Sequence, residues 1–244
     1  MRKFNRKDIW VNVRLVLMFA LVVFLYSFTS KRNESRKIKK SAVEFVGETN
    51  QFVASETVNK LLIENNGSVS ALHKDGLDLN KIEKTIDKHG MVEKSEVFVT
   101  IDGTLKAMVK QKTPIARVFD ENGSFYIDYQ GNKMPLSRIQ SARLLLVSGE
   151  IKRKNKEGLT ELFRFIYNDE FLRKNIIGAQ VYSNGALILT NRNYDYKIDF
   201  GRTINIEKKF KNYKAFFQKA VQDSSISKYR MINLRFTKQV VCTK

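Results

Sequence analysis

The sequence predicts an α+β protein: a single N-terminal transmembrane helix, then a small unit of order β-α-α-β-β, then a C-terminal β-rich unit with flanking helices. Three observations carry this. Ile9–Phe28 reads IWVNVRLVLMFALVVFLYSF, 20 residues with one charge among them. Asp102-Gly103 and Asn184-Gly185 each lie between runs of alternating apolar residues, the mark of β-hairpins. Elsewhere apolar residues recur at i, i+3 and i+4, the spacing of helices that bury one face.

The first run is long enough for a membrane. At about 1.5 Å of rise per residue it covers the roughly 30 Å of a hydrocarbon core. Leu15–Phe28 carries no charge, Arg14 can snorkel toward the headgroups, and Trp10 and Tyr26 fall near the ends as interfacial aromatics do. The run exceeds the roughly 7–15 apolar residues of a cleaved signal peptide, so it reads as an uncleaved anchor, although Ser27 and Thr29 would suit a cleavage site. The chain thus divides into a tail (1–8), a span (9–28), a basic juxtamembrane linker (29–40) and two folded parts (41–113 and 114–244). Arg2, Lys3, Arg6, Lys7 and Arg14 on one flank face Lys31, Arg32, Arg36, Lys37, Lys39 and Lys40 on the other. Loop charge alone therefore does not set the orientation.

Composition narrows the function classes. Residues 1–40 hold 11 Lys or Arg and 2 acids, a net of +9, and the other 204 residues hold +10 of the total +19, so the basic charge is expected to be spread along the chain. No Arg-rich helix, zinc spacing or aromatic RNA-binding signature accompanies it, which argues against a nucleic-acid partner. Anionic lipid headgroups are the natural counterpart beside a membrane helix. Cys242 is the single cysteine, which excludes an intrachain disulfide and a Cys-rich metal site. His73 and His89 sit in polar surroundings and read as surface residues. Neither cofactor, metal nor small-molecule substrate is expected.

The folded parts follow in order. Ala42–Val46 alternates as a first strand. Ser55 is a candidate N-cap for a helix with Val58, Leu61 and Leu62 on one face, ended by Asn65, Asn66 and Gly67. Asp78 or Asn80 caps a second helix with the stripe Leu79, Ile82 and Ile86, closed by Gly90; Asn80 and Glu83 have capping-box spacing. Val97, Val99 and Ile101 alternate into Asp102-Gly103, read as a two-residue type I′ turn, and Leu105, Ala107 and Val109 return. Pro114 ends that strand. Strands are expected at Ser124–Asp128, with a return through Met134, at Leu144–Val147, and on both sides of Asn184-Gly185. Leu159, Leu162, Phe163, Ile166 and Phe171 form a helical face. Tyr194, Tyr196, Ile198 and Phe200 keep period two. A last helix buries Ile206, Phe210, Tyr213, Phe217 and Val221 and wets Lys208, Lys209, Lys211 and Lys214. Arg230–Phe236, RMINLRF, is a final strand candidate.

This order resembles the bacterial cell-division proteins of the FtsQ/DivIB family: a basic tail, one membrane helix, a polypeptide-transport-associated (POTRA) domain and a β domain. Four segments carry the resemblance in family order. MVEKSEVFVTIDGTLKAMVKQKTPIARV is similar to the POTRA hairpin, with Gln111 where the family often has Glu and Asp102-Gly103 in place of a frequent Trp-Pro. Tyr126-Ile127-Asp128-Tyr129-Gln130-Gly131 resembles the aliphatic-Asp-x-x-Gly entry to the β domain. Val147-Ser148-Gly149 resembles the Gly-containing segment after it. Ile232-Asn233-Leu234-Arg235-Phe236 is similar to the terminal strand, with Asn233 in place of Asp.

The resemblance implies a non-enzymatic adaptor with its N-terminus in the cytoplasm and its folded domains outside, linking septal proteins of the division machinery. It implies FtsB/FtsL-type partners that add a strand at the C-terminal strand region, an edge with unpaired N–H and C=O groups. The residues expected to bind them are Arg235 and Phe236 and, by adjacency, Ile232 and Leu234, whose aliphatic side chains would equally suit a core. The competing reading, a membrane-anchored extracytoplasmic enzyme acting on the cell wall, needs a nucleophile with a base, a metal set or paired carboxylates. No Gly-x-Ser-x-Gly is present, and Asp169-Glu170 and Asp195 with Asp199 read as solvated charges. A POTRA-bearing outer-membrane translocation component would need a β-barrel for which the chain has no room.

Overall fold

An unbroken apolar stretch can satisfy its backbone in lipid only as a helix, and helix α1 runs over Arg6–Glu34, 29 residues. The computed structural model describes residues 6–34, 38–47, 52–64, 77–121 and 123–244. The expected helix end at Asn65, Asn66 and Gly67, most of the tail, and linker residues 35–37 lie outside them. Within α1, Trp10–Arg32 has a mean hydropathy of 2.1 and is long and apolar enough to cross a membrane. Its side chains from Trp10 to Thr29 are exposed. The helix suggests a membrane anchor.

The chain divides into two units, Met1–Gly47 with Ala54–Lys110, and Glu48–Val53 with Gln111–Lys244. In the first, β1 (Lys40–Val46), α2 (Ser55–Glu64), α3 (Leu79–Asp87), β2 (Val92–Val99) and β3 (Thr104–Gln111) follow the predicted order. The sheet order is β1-β3-β2, with β1 parallel to β3 from Lys40 opposite Thr104 to Val46 opposite Lys110. Val58 and Leu62 of α2 and Ile82 and Ile86 of α3 are buried, so the predicted stripes face the core. Ser55 begins α2 as a helical residue, and Ala54 before it accepts the first-turn bonds from Thr57 and Val58.

Of the two N-cap candidates expected for α3 the structure uses Asp78, whereas the helix ends at its C-cap Lys88, before the expected Gly90. Asp78 is the N-cap, its Oδ1 accepting from the Lys81 N–H at 3.0 Å. Glu83 reaches away from the helix start and accepts the Val97 N–H of β2 at 2.7 Å, so Asn80 and Glu83 form no capping box. One turn on, Asp87 Oδ1 accepts the Ser95 N–H at 2.7 Å and the Ser95 hydroxyl at 2.8 Å. Two carboxylates four residues apart share one helix face, and here that face pins β2.

The second unit holds β4 (Pro114–Asp120), β5 (Gly123–Asp128), β6 (Lys133–Met134), β7 (Leu145–Gly149), α4 (Lys156–Asn168), α5 (Glu170–Asn175), β8 (Ile176–Val181), β9 (Leu187–Asn191), β10 (Lys197–Gly201), α6 (Ile206–Gln222), β11 (Met231–Asn233) and β12 (Val241–Thr243). All nine strands form one mixed sheet of order β12-β11-β10-β9-β8-β7-β4-β5-β6. Parallel neighbours require a long crossover. Accordingly α4 and α5 link β7 to β8, and α6 links β10 to β11. One apolar row crosses seven strands in register: Val118, Val147, Ala179, Leu189, Ile198, Ile232 and Cys242. Leu162 and Phe163 of α4 and Phe210 and Tyr213 of α6 belong to the same core. Three of its polar side chains are joined: the hydroxyls of Tyr196 and Tyr213 are 2.8 Å apart, and Asn191 Nδ2 donates to Tyr213 Oη at 3.1 Å.

Both Asx-Gly hairpins differ from the two-residue type I′ turn. At 100–104 the Gly103 N–H donates to Thr100 O and the Thr100 N–H to Thr104 O; at 182–186 Gly185 and Tyr182 repeat the pattern. Gly103 and Gly185 have φ of +86° and +80°, whereas Asp102 and Asn184 keep negative φ. These are three-residue loops, a turn followed by a left-handed glycine that forms a bulge. The 128–132 turn has the same bonds, with Gly131 at φ +86°. In it, buried Asp128 accepts the Asn132 N–H through Oδ1 at 2.7 Å, which accounts for the Asp-x-x-Gly pattern.

The division into units also corrects the expected even spread of charge. Residues 41–110 hold 8 Lys or Arg against 11 acids, a net of −3, while residues 111–244 hold 25 against 12, a net of +13. The β-rich unit is the strongly basic part beyond the linker.

Candidate partner-docking edge

The C-terminal strands build one end of the nine-stranded sheet. Strand β11 lies parallel to β10, with Ile198 opposite Ile232 and Asp199 opposite Asn233. On its other side it pairs antiparallel with β12, Met231 opposite Thr243 and Asn233 opposite Val241. The predicted strand Arg230–Phe236 is thus shortened to Met231–Asn233, and its outer edge is already occupied by the chain's own last residues. The free edge belongs to β12, which the sequence reading missed. The available signal was a short β-branched run, Val240-Val241, after the polar Thr237-Lys238-Gln239.

The four residues expected at the site separate by exposure. Ile232 and Leu234 are 0 % and 1 % exposed and lie in the core, so their side chains are withdrawn from any partner. This corrects their assignment: Ile232 belongs to the apolar row that runs across the sheet, and the Leu234 N–H donates to Asp199 O at 2.8 Å. Phe236 is 52 % exposed, and Val241 on β12 is exposed as well. Arg235 is held in place while remaining accessible: its Nε donates to Asp199 Oδ1 at 3.0 Å and lies 2.9 Å from Oδ2. Its own N–H donates to Asn233 Oδ1 at 2.9 Å, so Asn233 supplies the acceptor oxygen that an Asp would.

Two neighbours fix this corner. Gly201 has φ +68°, and a Cβ there would lie 2.9 Å from Arg235 Cγ, so the Arg235 stem crosses bare backbone. Lys209 was expected on the wet side of α6 and is instead 2 % exposed. Its Nζ donates to Phe200 O and Arg202 O at 2.8 Å each and stands 4.5 Å from the Phe200 ring centre. Burial lowers its pKa, a shift that the Asp199 charge opposes and the Arg235 charge reinforces. Lys209 shares a helix face with Ile206, Phe210 and Tyr213, and the carbonyls at the end of β10 make its burial tolerable.

A second stretch that the sequence singled out is also accounted for. Gln111 Oε1 accepts the N–H groups of Phe52 and Val53 at 2.8 and 2.9 Å. An amide oxygen suffices for that task, which explains how Gln can stand where a Glu is frequent.

The family profile FtsQ/DivIB, C-terminal related, matches residues 113–243, more than half of the chain. The chain belongs to the FtsQ/DivIB C-terminal related family. Among solved structures it is similar to the major extracytoplasmic domain of the trans isomer of the bacterial cell division protein DivIB from Geobacillus stearothermophilus. That similarity has a TM-score of 0.29 at 11 % identity and covers 47 % of this chain and 97 % of that chain. No curated protein matches the chain. The FtsQ/DivIB-related match contains the whole β12 edge, Arg235 and Phe236, so the candidate docking corner belongs to the part that defines the family.

Proposed function

We propose that this FtsQ/DivIB-related chain is a non-enzymatic, single-pass adaptor of the bacterial division machinery. It sits in the cytoplasmic membrane at the septum with its N-terminus inside and a POTRA-type domain and the β domain outside. It recruits and links FtsB/FtsL-type partners by strand addition at β12, with Phe236 and Arg235 reading the partner's side chains. One observation carries this: the sheet ends on a strand with an unpaired edge, beside an exposed phenylalanine and a positioned arginine. Exposed strand edges otherwise need blunting against aggregation.

Co-purification from membranes tests it. Replacing Phe236→Glu is expected to reduce capture of the FtsB/FtsL-type pair at least tenfold, with the far-ultraviolet circular dichroism unchanged. Undiminished capture would overturn the site, and a fluorescent fusion spread evenly around the envelope, never at midcell, would overturn the division role.

A further inference from the structure

Near the middle of the nine-stranded sheet, the first residues of the parallel strands β4, β7 and β8 surround a cavity of about 410 Å³. Arg117 of β4, Arg143 before β7, Arg173 of α5 and Arg192 after β9 line it over an apolar floor that includes Leu145 and Ile176, and no Asp or Glu is among its lining residues. Two other cavities of this unit mix both signs: Lys133, Lys152 and Lys156 line one with Asp120, Glu121 and Glu150, and Lys219 and Lys238 line another with Asp223.

None of the four guanidiniums pairs with a carboxylate among the described residues. The Lys174 bond and charge, and to a smaller extent the Arg173 charge, hold the Glu170 carboxyl below its ordinary value, so Arg173 has one more distant counter-charge. Arg117 spends one terminal nitrogen on Ser124 Oγ at 3.2 Å, and its Nε is buried with no hydrogen-bond partner there. Arg192 spends Nε on Lys174 O at 2.8 Å, capping α5, and Arg173 stands 5.8 Å from the Tyr167 ring centre. Each keeps terminal N–H donors for a ligand. Like charges held in a concave site with low-dielectric walls focus a positive potential, and guanidinium forks match the oxygens of a phosphate. Four forks exceed what one carboxylate can use.

We propose that this arginine cavity binds a phosphate group. The volume is at the small end of ligand pockets, enough for a phosphate with a short substituent, and the apolar floor accepts the carbon that bears it. The phosphate comes either from a phospholipid headgroup, abundant around a membrane-anchored chain, or from free phosphate.

Native mass spectrometry of the detergent-solubilised full chain, titrated separately with dioctanoyl phosphatidate, dioctanoyl phosphatidylcholine and inorganic phosphate, tests this. Saturable binding of phosphatidate or of inorganic phosphate is expected; preference for the first identifies a headgroup and for the second the free ion. The double variant Arg143→Gln with Arg173→Gln should bind at least tenfold more weakly, while Lys208→Gln with Lys211→Gln on α6 removes the same charge and should stay within twofold. If the double variant melts early, Arg143→Glu alone, at an exposed position, keeps the comparison readable. Absence of binding by both phosphatidate and inorganic phosphate, equal binding of phosphatidate and of phosphatidylcholine, whose diester phosphate is neutralised by its own choline cation, or an equal loss in the α6 control would overturn the proposal.

Discussion

Gly201 shows how one residue can set the shape of the corner where Arg235 lies. At φ +68° it occupies a conformation that costs an ordinary L residue about 1–2 kcal/mol, and its missing Cβ leaves room for the Arg235 stem. Gly201→Ala is expected to lower unfolding stability by about 1–2 kcal/mol, measured by chemical denaturation. Adding Arg235→Ala should recover the contact portion of that loss and leave the backbone portion. The same corner marks where residue-level reading ran out. Lys209 has the period of a buried position and the chemistry of an exposed one, and hydropathy let the chemistry decide. Only the carbonyls of Phe200 and Arg202, brought there by the end of β10, reverse the outcome. Glu83 is a parallel case, a cap by spacing that finds a better acceptor role on β2.

Elements were more legible than their boundaries. Apolar periodicity located both helices of the first unit, the hairpins, and α6, because burial of one face imposes the period directly. The turns were misread in type, since Asp-Gly and Asn-Gly also suit a three-residue loop, and only the left-handed glycine distinguishes them. The helical face through Phe171 hid a break: Asp169 is extended, ends α4 and caps α5, its Oδ1 accepting the Leu172 N–H at 2.9 Å. Its other oxygen pairs with Lys214 of α6. Burial raises the pKa of Asp169, but the Lys214 bond and charge and the Leu172 N–H outweigh it and hold it below the ordinary value. A carboxylate depressed in the folded state contributes stability above its unfolded pKa of about 3.9, and that contribution is lost as the pH falls through the folded value. Asp169→Asn keeps a capping oxygen and should cost no more than about 1 kcal/mol at neutral pH. Asp169→Ala should cost about 1–2 kcal/mol. The gap between the denaturation midpoints of the wild-type and Asn chains should be smaller at pH 3 than at pH 7.

At the scale of the whole chain, the α+β class and the long apolar helix were legible because both follow from uninterrupted patterns. The nine-stranded order was not, since it depends on which distant strands pair, and the length of α1 predicts behaviour more directly than any pairing does. The full chain is expected to stay in the membrane pellet after alkaline carbonate washing, and a chain lacking residues 1–34 to appear in the supernatant. Past the linker, the basic charge that seemed uniform gathers beyond residue 110, where one sheet has an unpaired edge at β12 and a cavity lined by four arginines near its middle. The apolar row across that sheet begins in β4 and closes at Cys242, which is half-buried and whose thiol burial makes harder to ionise. The chain's only thiol therefore rides on the edge strand of the sheet. The speed with which an alkylating reagent finds it is a clock for how often that strand leaves the sheet, built into the molecule with nothing added.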